Sequence, residues 1–204
     1  MLAVCCANLG ELNLDANTLV VYTADHGYGL GQHGRFEKHC GYDPALRVPL
    51  LMRYQGQIRP GLVHDMTEHV DVTATITDLM ELEPLPVQHG RSLRPYLERR
   101  RADSREHIFS EYLENEEAFV RTDRWKFVYC TGKRARTDGY VTENPTPGRY
   151  TMLYDLRTDP GEFRNVSSRH PDVVEKLTHA MLERFRQTHP RRDETLDWYL
   201  QPAG

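Results

Sequence analysis

"NTLVVYTADHGYGLGQHGRFEKHCGYDPALRVPLLMRY", residues 17–54, is the stretch that decides the fold. Residues 18–24 form an unbroken run of β-branched, aromatic and apolar side chains behind the turn-forming Asp15-Ala16-Asn17, which predicts a fully buried strand rather than a helix. Residues 48–54 predict a second strand, opened by Pro49 and closed by the turn-rich segment 55–61. In an α/β sheet the loop leaving the carboxyl end of a strand carries the function, so chemistry is expected in residues 25–40.

Asp25 and His26 stand where a buried parallel strand would end, projecting into the crevice above the sheet. A carboxylate offers a hard oxygen and an imidazole a nitrogen, and Gly27 lets the backbone turn away without a Cβ clash, a pattern suited to a metal. Further along, His33 sits next to Gly34, and Lys38 is a flexible point charge suited to a sulfate or phosphate oxygen. Taken singly these residues have plainer readings: Asp25 as a helix cap, Lys38 as a surface lysine.

The composition sets bounds. The 204 residues are 39% hydrophobic and 27% charged, the make-up of a globular chain. The 26 basic and 30 acidic residues are well mixed, giving a net charge of −4, so no global field recruits nucleic acid and no nucleic-acid partner is expected. Arg99-Arg100-Arg101, flanked by Asp103 and Glu106, reads as a solvated turn. No apolar stretch approaches the ~20 residues of a membrane span, and residues 1–15 carry no export leader, which leaves the compartment open. The four cysteines show no metal or redox spacing and read as small buried hydrophobes.

Downstream, residues 71–82 predict an amphipathic helix with Asp71 as its cap, and the Pro- and Gly-containing segment 83–90 predicts a boundary. Residues 106–113, 117–123, 124–130 and 152–162 predict antiparallel strands, interrupted by a polar excursion at 131–150. A last helix starts at Pro171, its Val174, Leu177, Met181 and Phe185 stepping along one face. The expected fold is therefore α/β: residues 1–90 as part of a sheet flanked by helices, and 91–204 as a small antiparallel sheet with a packed helix.

Order and spacing then add a resemblance. Asp25-His26-Gly27, Gly31-Gln32-His33-Gly34, Lys38 and Arg47-Val48-Pro49, set between two strands, resemble the second conserved block of the sulfatases of the alkaline-phosphatase superfamily. "EHVDVTATITDLMEL" (68–82) is similar to that family's Val-Asp-x-x-Pro-Thr helix, with Ala74 where proline is common; "GRSLRPYL" (90–97), "AFVRTDRWKFVY" (118–129) and "LYDLRTDPGEFRNV" (153–166) match its later blocks. The resemblance implies the alkaline-phosphatase-like fold and sulfuric ester hydrolysis. It implies that Asp25 and His26 ligate a divalent cation, calcium in most members with manganese or zinc open because His26 replaces a frequent asparagine. Lys38 would contact the sulfate ester and His33 would lie at the pocket rim, the two being the candidate catalytic residues, with His39 a bystander. The implied substrate is a sulfate ester, either a small molecule or a sulfated glycan, with residues 131–150 contributing to its recognition.

The family's nucleophile, a formylglycine made within Cys/Ser-x-Pro-x-Arg, has no counterpart in these residues: Cys5 and Cys6 are followed by Ala7-Asn8-Leu9-Gly10. The chain is thus expected to hold the carboxyl-terminal part of a sulfatase, with half a metal site and negligible activity alone. Two other readings stand beside it, a phosphonate monoester or phosphodiester hydrolase of the same superfamily and a non-catalytic module. A cut sheet should expose apolar surface, so pairing with an amino-terminal half or with a second copy is expected.

Overall fold

The computed structural model describes residues 1–100, 103–112, 116–133 and 148–188. Most of the polar excursion 131–150 lies outside them. The chain divides into two compact units: residues 1–27 with 47–104, and residues 28–46 with 105–204. The loop between the first two strands is thereby grouped with the later part of the chain, whereas the sequence reading drew a single line near residue 90.

In the first unit, helix α1 (Leu2–Glu11) leads to strand β1 (Val20–Thr23), which pairs antiparallel with β2 (Leu50–Arg53) in the register Val20 to Arg53 and Thr23 to Leu50. This corrects the expectation of a fully buried parallel strand. The two form a two-stranded ribbon whose Tyr22 and Leu51 are about half exposed, because an apolar run fixes the strand but not what covers it. Helix α3 (Val70–Leu79) follows, then the one-turn helix α4 (Arg94–Leu97).

Asp71 does not cap α3 from outside; it lies in the first turn and is fully buried. Its Oδ2 accepts the N–H of Glu68, just ahead of the helix, at 2.8 Å and its Oδ1 the Arg91 N–H at 2.8 Å, so one carboxylate fixes the entry to the helix and ties down the segment after Pro86. Thr75 repeats the device, its hydroxyl oxygen accepting the Leu93 N–H at 2.8 Å.

The second unit is built on an antiparallel sheet in sequential order: β3 (Ile108–Tyr112), β4 (Glu117–Arg121), β5 (Trp125–Cys130) and β6 (Tyr150–Asp155). Both faces of its centre are covered, and the register shows how. Val120, Phe127 and Leu153 stand side by side on one face, against Leu177, Met181 and Phe185 of helix α5 (Pro171–Thr188). Phe119, Val128 and Met152 stand on the other, against Cys40, Tyr42 and Ala45 from the loop that includes the one-turn helix α2 (Asp43–Leu46). Each such buried side chain contributes about 1.5–3 kcal/mol, so the helix and the loop are both integral to the sheet. Gly41 is required by that approach, since a Cβ there would meet the Phe119 ring at 2.1 Å. Cys40 and Cys130 are buried, as expected of small hydrophobes, and burial pushes the Cys130 thiol up to about 11. Cys5 is exposed and departs from that expectation. None of the described helices is long and apolar enough to cross a membrane.

Candidate functional site

Residues 28–38 fold back on themselves. The Gly29 N–H donates to the Glu37 carbonyl at 2.8 Å and the Gly31 N–H to the Arg35 carbonyl at 3.0 Å. The turn is closed by three left-handed residues, Gly31 (φ +104°), His33 (φ +57°) and Gly34 (φ +70°). His33 is the costly one, at about 1–2 kcal/mol for a side chain in that region. Its imidazole stacks on the Tyr42 ring at 3.7 Å and 3° and on the Phe163 ring at 4.8 Å, and aromatic pairs of this kind contribute about 0.5–1.5 kcal/mol each, enough to offset the strain.

Beyond the turn, burial alternates against hydropathy. Arg35 and Glu37 are buried and paired at 2.9 Å, while Phe36 and Lys38 face outward. The ion pair is retained because each charge meets its opposite inside the loop, and its alternation leaves Lys38 on the accessible side.

Asp25 and His26 belong to the other compact unit, at the end of β1. The His26 N–H donates to Asp25 Oδ1 at 3.0 Å, and His26 Nδ1 lies 2.7 Å from the Gly27 carbonyl oxygen. A carbonyl only accepts, so Nδ1 carries the hydrogen of that contact. Nε2 is 3.3 Å from Asp25 Oδ2. An imidazole nitrogen and a carboxylate oxygen that close can share a cation, and the Nδ1–carbonyl bond is the tautomer-fixing contact that metal-ligating histidines use. The residues therefore fit two ligands of a divalent cation. Among the described residues no three His, Cys, Asp or Glu side chains gather into a metal-holding group. Thr23 Oγ1 lies 3.4 Å from His69 Nε2 beside it, a histidine the sequence reading did not single out.

A second cluster was also missed. Lys126, 1% exposed within β5, pairs with Asp43 at 2.8 Å and with Glu162 at 2.6 Å; Arg121 pairs with the other Asp43 oxygen at 2.5 Å. Burial pushes the Asp43 carboxyl up, but Lys126 and Arg121 outweigh it and hold it below its ordinary value. Burial wins at Glu162, which is raised in spite of Lys126. The signal available in the sequence was a lysine inside "RWKFVYC", an apolar strand where an unpaired ammonium has no place.

Burial, and secondarily Lys126, lower the His33 pKa below 6.5, with Asp159 opposing. The unfolded chain thus takes up this proton first, and the stability that a neutral His33 supports, present above pH 6.5, is lost as the pH falls through the folded value. Urea unfolding of the wild type between pH 7.5 and 5 is expected to show a steeper loss of stability than that of His33→Phe; parallel slopes would refute it.

The family model described as "N-sulphoglucosamine sulphohydrolase, C-terminal" matches residues 31–189. The chain belongs to this sulfatase family. It is 26% identical over 193 residues to an N-acetylgalactosamine-6-O-sulfatase of Bacteroides thetaiotaomicron, covering 85% of this chain and 37% of that protein. Among solved structures, BT4656, described in complex with its substrate D-glucosamine-2-N,6-O-disulfate, superposes with a TM-score of 0.73 at 25% identity, over 96% of this chain and 39% of that one. The phosphonate monoester hydrolase of Silicibacter pomeroyi superposes with a TM-score of 0.75 at 29% identity, over 96% and 39%. The α/β, alkaline-phosphatase-like architecture is therefore that of the sulfatase family, and the chain spans about a third of the length of the curated relatives it matches.

Proposed function

We propose that this chain is the later part of a sulfuric ester hydrolase. In this reading Asp25 and His26 supply two ligands to a divalent cation, calcium first, with manganese or zinc as alternatives, and Lys38 contacts the sulfate ester. The observation that carries it is the convergence of Asp25 Oδ2 and His26 Nε2 at 3.3 Å, with Nδ1 committed to the Gly27 carbonyl. A bound cation would supply Lewis-acid polarisation of the ester oxygens. The Lys38 ammonium offers positive charge suited to a sulfate ester oxygen, where charge develops in the transition state. His33, stacked on two rings and with its pKa lowered by burial, is assigned to holding the loop rather than to moving a proton. The nucleophile is assigned outside these residues, and a sulfate-ester small molecule or sulfated glycan is the substrate class.

Calcium or manganese titrated calorimetrically into the 204-residue chain is expected to bind weakly, with binding lost in Asp25→Ala and His26→Ala. Equal binding by wild type and variants would overturn the ligand assignment. An aryl sulfate is expected to be turned over negligibly by the chain alone, and a burst abolished by Asp25→Ala would show that the half-site reading is wrong. The similarity to the phosphonate monoester hydrolase favours a second reading, in which Lys38 faces a phosphonate or phosphodiester oxygen. Tighter binding of phenylphosphonate than of sulfate at Lys38 would favour it.

A further inference from the structure

The turn that follows β6 takes no part in the chemistry above, yet two of its adjacent side chains reach the loop that carries Lys38. Glu162 is 2% exposed, and its Oε2 accepts the Asp43 N–H at 2.8 Å while its Oε1 pairs with Lys126 at 2.6 Å. Phe163, the next residue, stacks on His33 at 4.8 Å. The turn is preset for this: the Asp159 N–H donates to the Asp155 carbonyl at 2.8 Å, the Glu162 N–H to the Asp159 carbonyl at 3.1 Å, and Asp159 Oδ2 accepts the Arg164 N–H at 2.7 Å. Glu162 itself is held left-handed at φ +60°, a strain that the two contacts of its carboxylate over-determine.

Phe163 is 71% exposed, so little of its ring contributes to core burial, and its stacking contact is with a histidine of the 28–38 loop. We propose that Glu162 and Phe163 are positioning residues that clamp residues 28–46 at two points, Asp43 and His33, and so fix the backbone from which Lys38 projects. The function of the "TDPGEF" turn (158–163) is then to set a lysine more than a hundred residues earlier in the chain. The inference rests on the reading of Lys38 as the sulfate contact.

Amide hydrogen exchange by NMR on the full 204-residue chain tests it, with inorganic sulfate as the binding probe. In Phe163→Ala the Gly29 and Gly31 amides are expected to exchange about tenfold faster while Val128 in β5 is unchanged, and Phe163→Tyr is expected to restore protection. Glu162→Gln, which keeps an acceptor for Asp43 but removes the charge facing Lys126, is expected to act in the same direction. Sulfate affinity read at the Lys38 side-chain resonances is expected to fall severalfold in Phe163→Ala and to return in Phe163→Tyr. Unchanged exchange at Gly29 and Gly31, or an equal rise at Val128, overturns the clamp. A loosened loop that binds sulfate as tightly as the wild type overturns the positioning role. A wild type that binds no sulfate but shows the exchange pattern leaves the clamp standing and removes instead the assignment of Lys38.

Discussion

Lys126→Met is expected to lower the stability of the second compact unit by about 3–5 kcal/mol, the cost of removing one member of a buried ion network and stranding its partners. The substitution leaves Asp43 with Arg121 and takes the cation at 2.6 Å away from Glu162, which is 2% exposed. Methionine fills much the same volume, so the loss is electrostatic rather than a cavity. The double variant Lys126→Met/Glu162→Gln is expected to recover a large part of it, because the stranded charge is gone while an acceptor for the Asp43 N–H remains. Denaturant unfolding followed by the sheet's tryptophan, Trp125, reads both values. A single variant within about 1 kcal/mol of the wild type would mean that the network contributes specificity without net stability.

Phe127→Ala is the second large effect, again about 3–5 kcal/mol, but from a different cause. Phe127 has no exposed surface and lies in the cluster with Leu177, Met181 and Phe185, so truncation leaves a void between β5 and α5 that a strand fixed on both sides cannot close. The comparison with Phe163→Ala is informative: the same chemical change at a residue 71% exposed should cost under about 1 kcal/mol globally. If the two truncations prove equal by denaturant unfolding, the division between core and clamp collapses.

Much of the fold could be read from local pattern. The steps of Leu177, Met181 and Phe185 along α5 and the four strands of the later sheet follow from periodicity, and the structure places all three helix residues in one core. What sequence could not supply was cover. The run at 18–24 forms its strand, but antiparallel and half exposed, since an apolar segment records its own preference and not its neighbours. The alternation in Arg35-Phe36-Glu37-Lys38 also misleads, because a buried charge pair inverts the usual rule. For the candidate site, the pairing of Asp25 with His26 was legible from adjacency. Asp43, Lys126 and Glu162 were not, being separated by 83 and 119 residues from partner to partner. Only the misplaced polarity of Lys126 in its strand marked them.

The interleaving of residues 28–46 with 105–204 bears on how the chain acquires its shape during synthesis. The loop leaves the ribosome long before Glu162, and at ordinary elongation rates of about 5–20 residues per second it waits several seconds for the carboxylate that receives Asp43. Until β4 to β6 are made Tyr42 and Ala45 have no sheet to rest on, until residue 162 is made the Asp43 N–H has no Glu162 carboxylate to meet, and closure over so long a separation is intrinsically slow. A nascent chain arrested after β6 but before residue 162 should therefore form β3 to β6, α1 and α3 while the contact between Glu162 and Asp43 is still missing, which makes the last stage of translation the step at which the lysine-bearing loop is set.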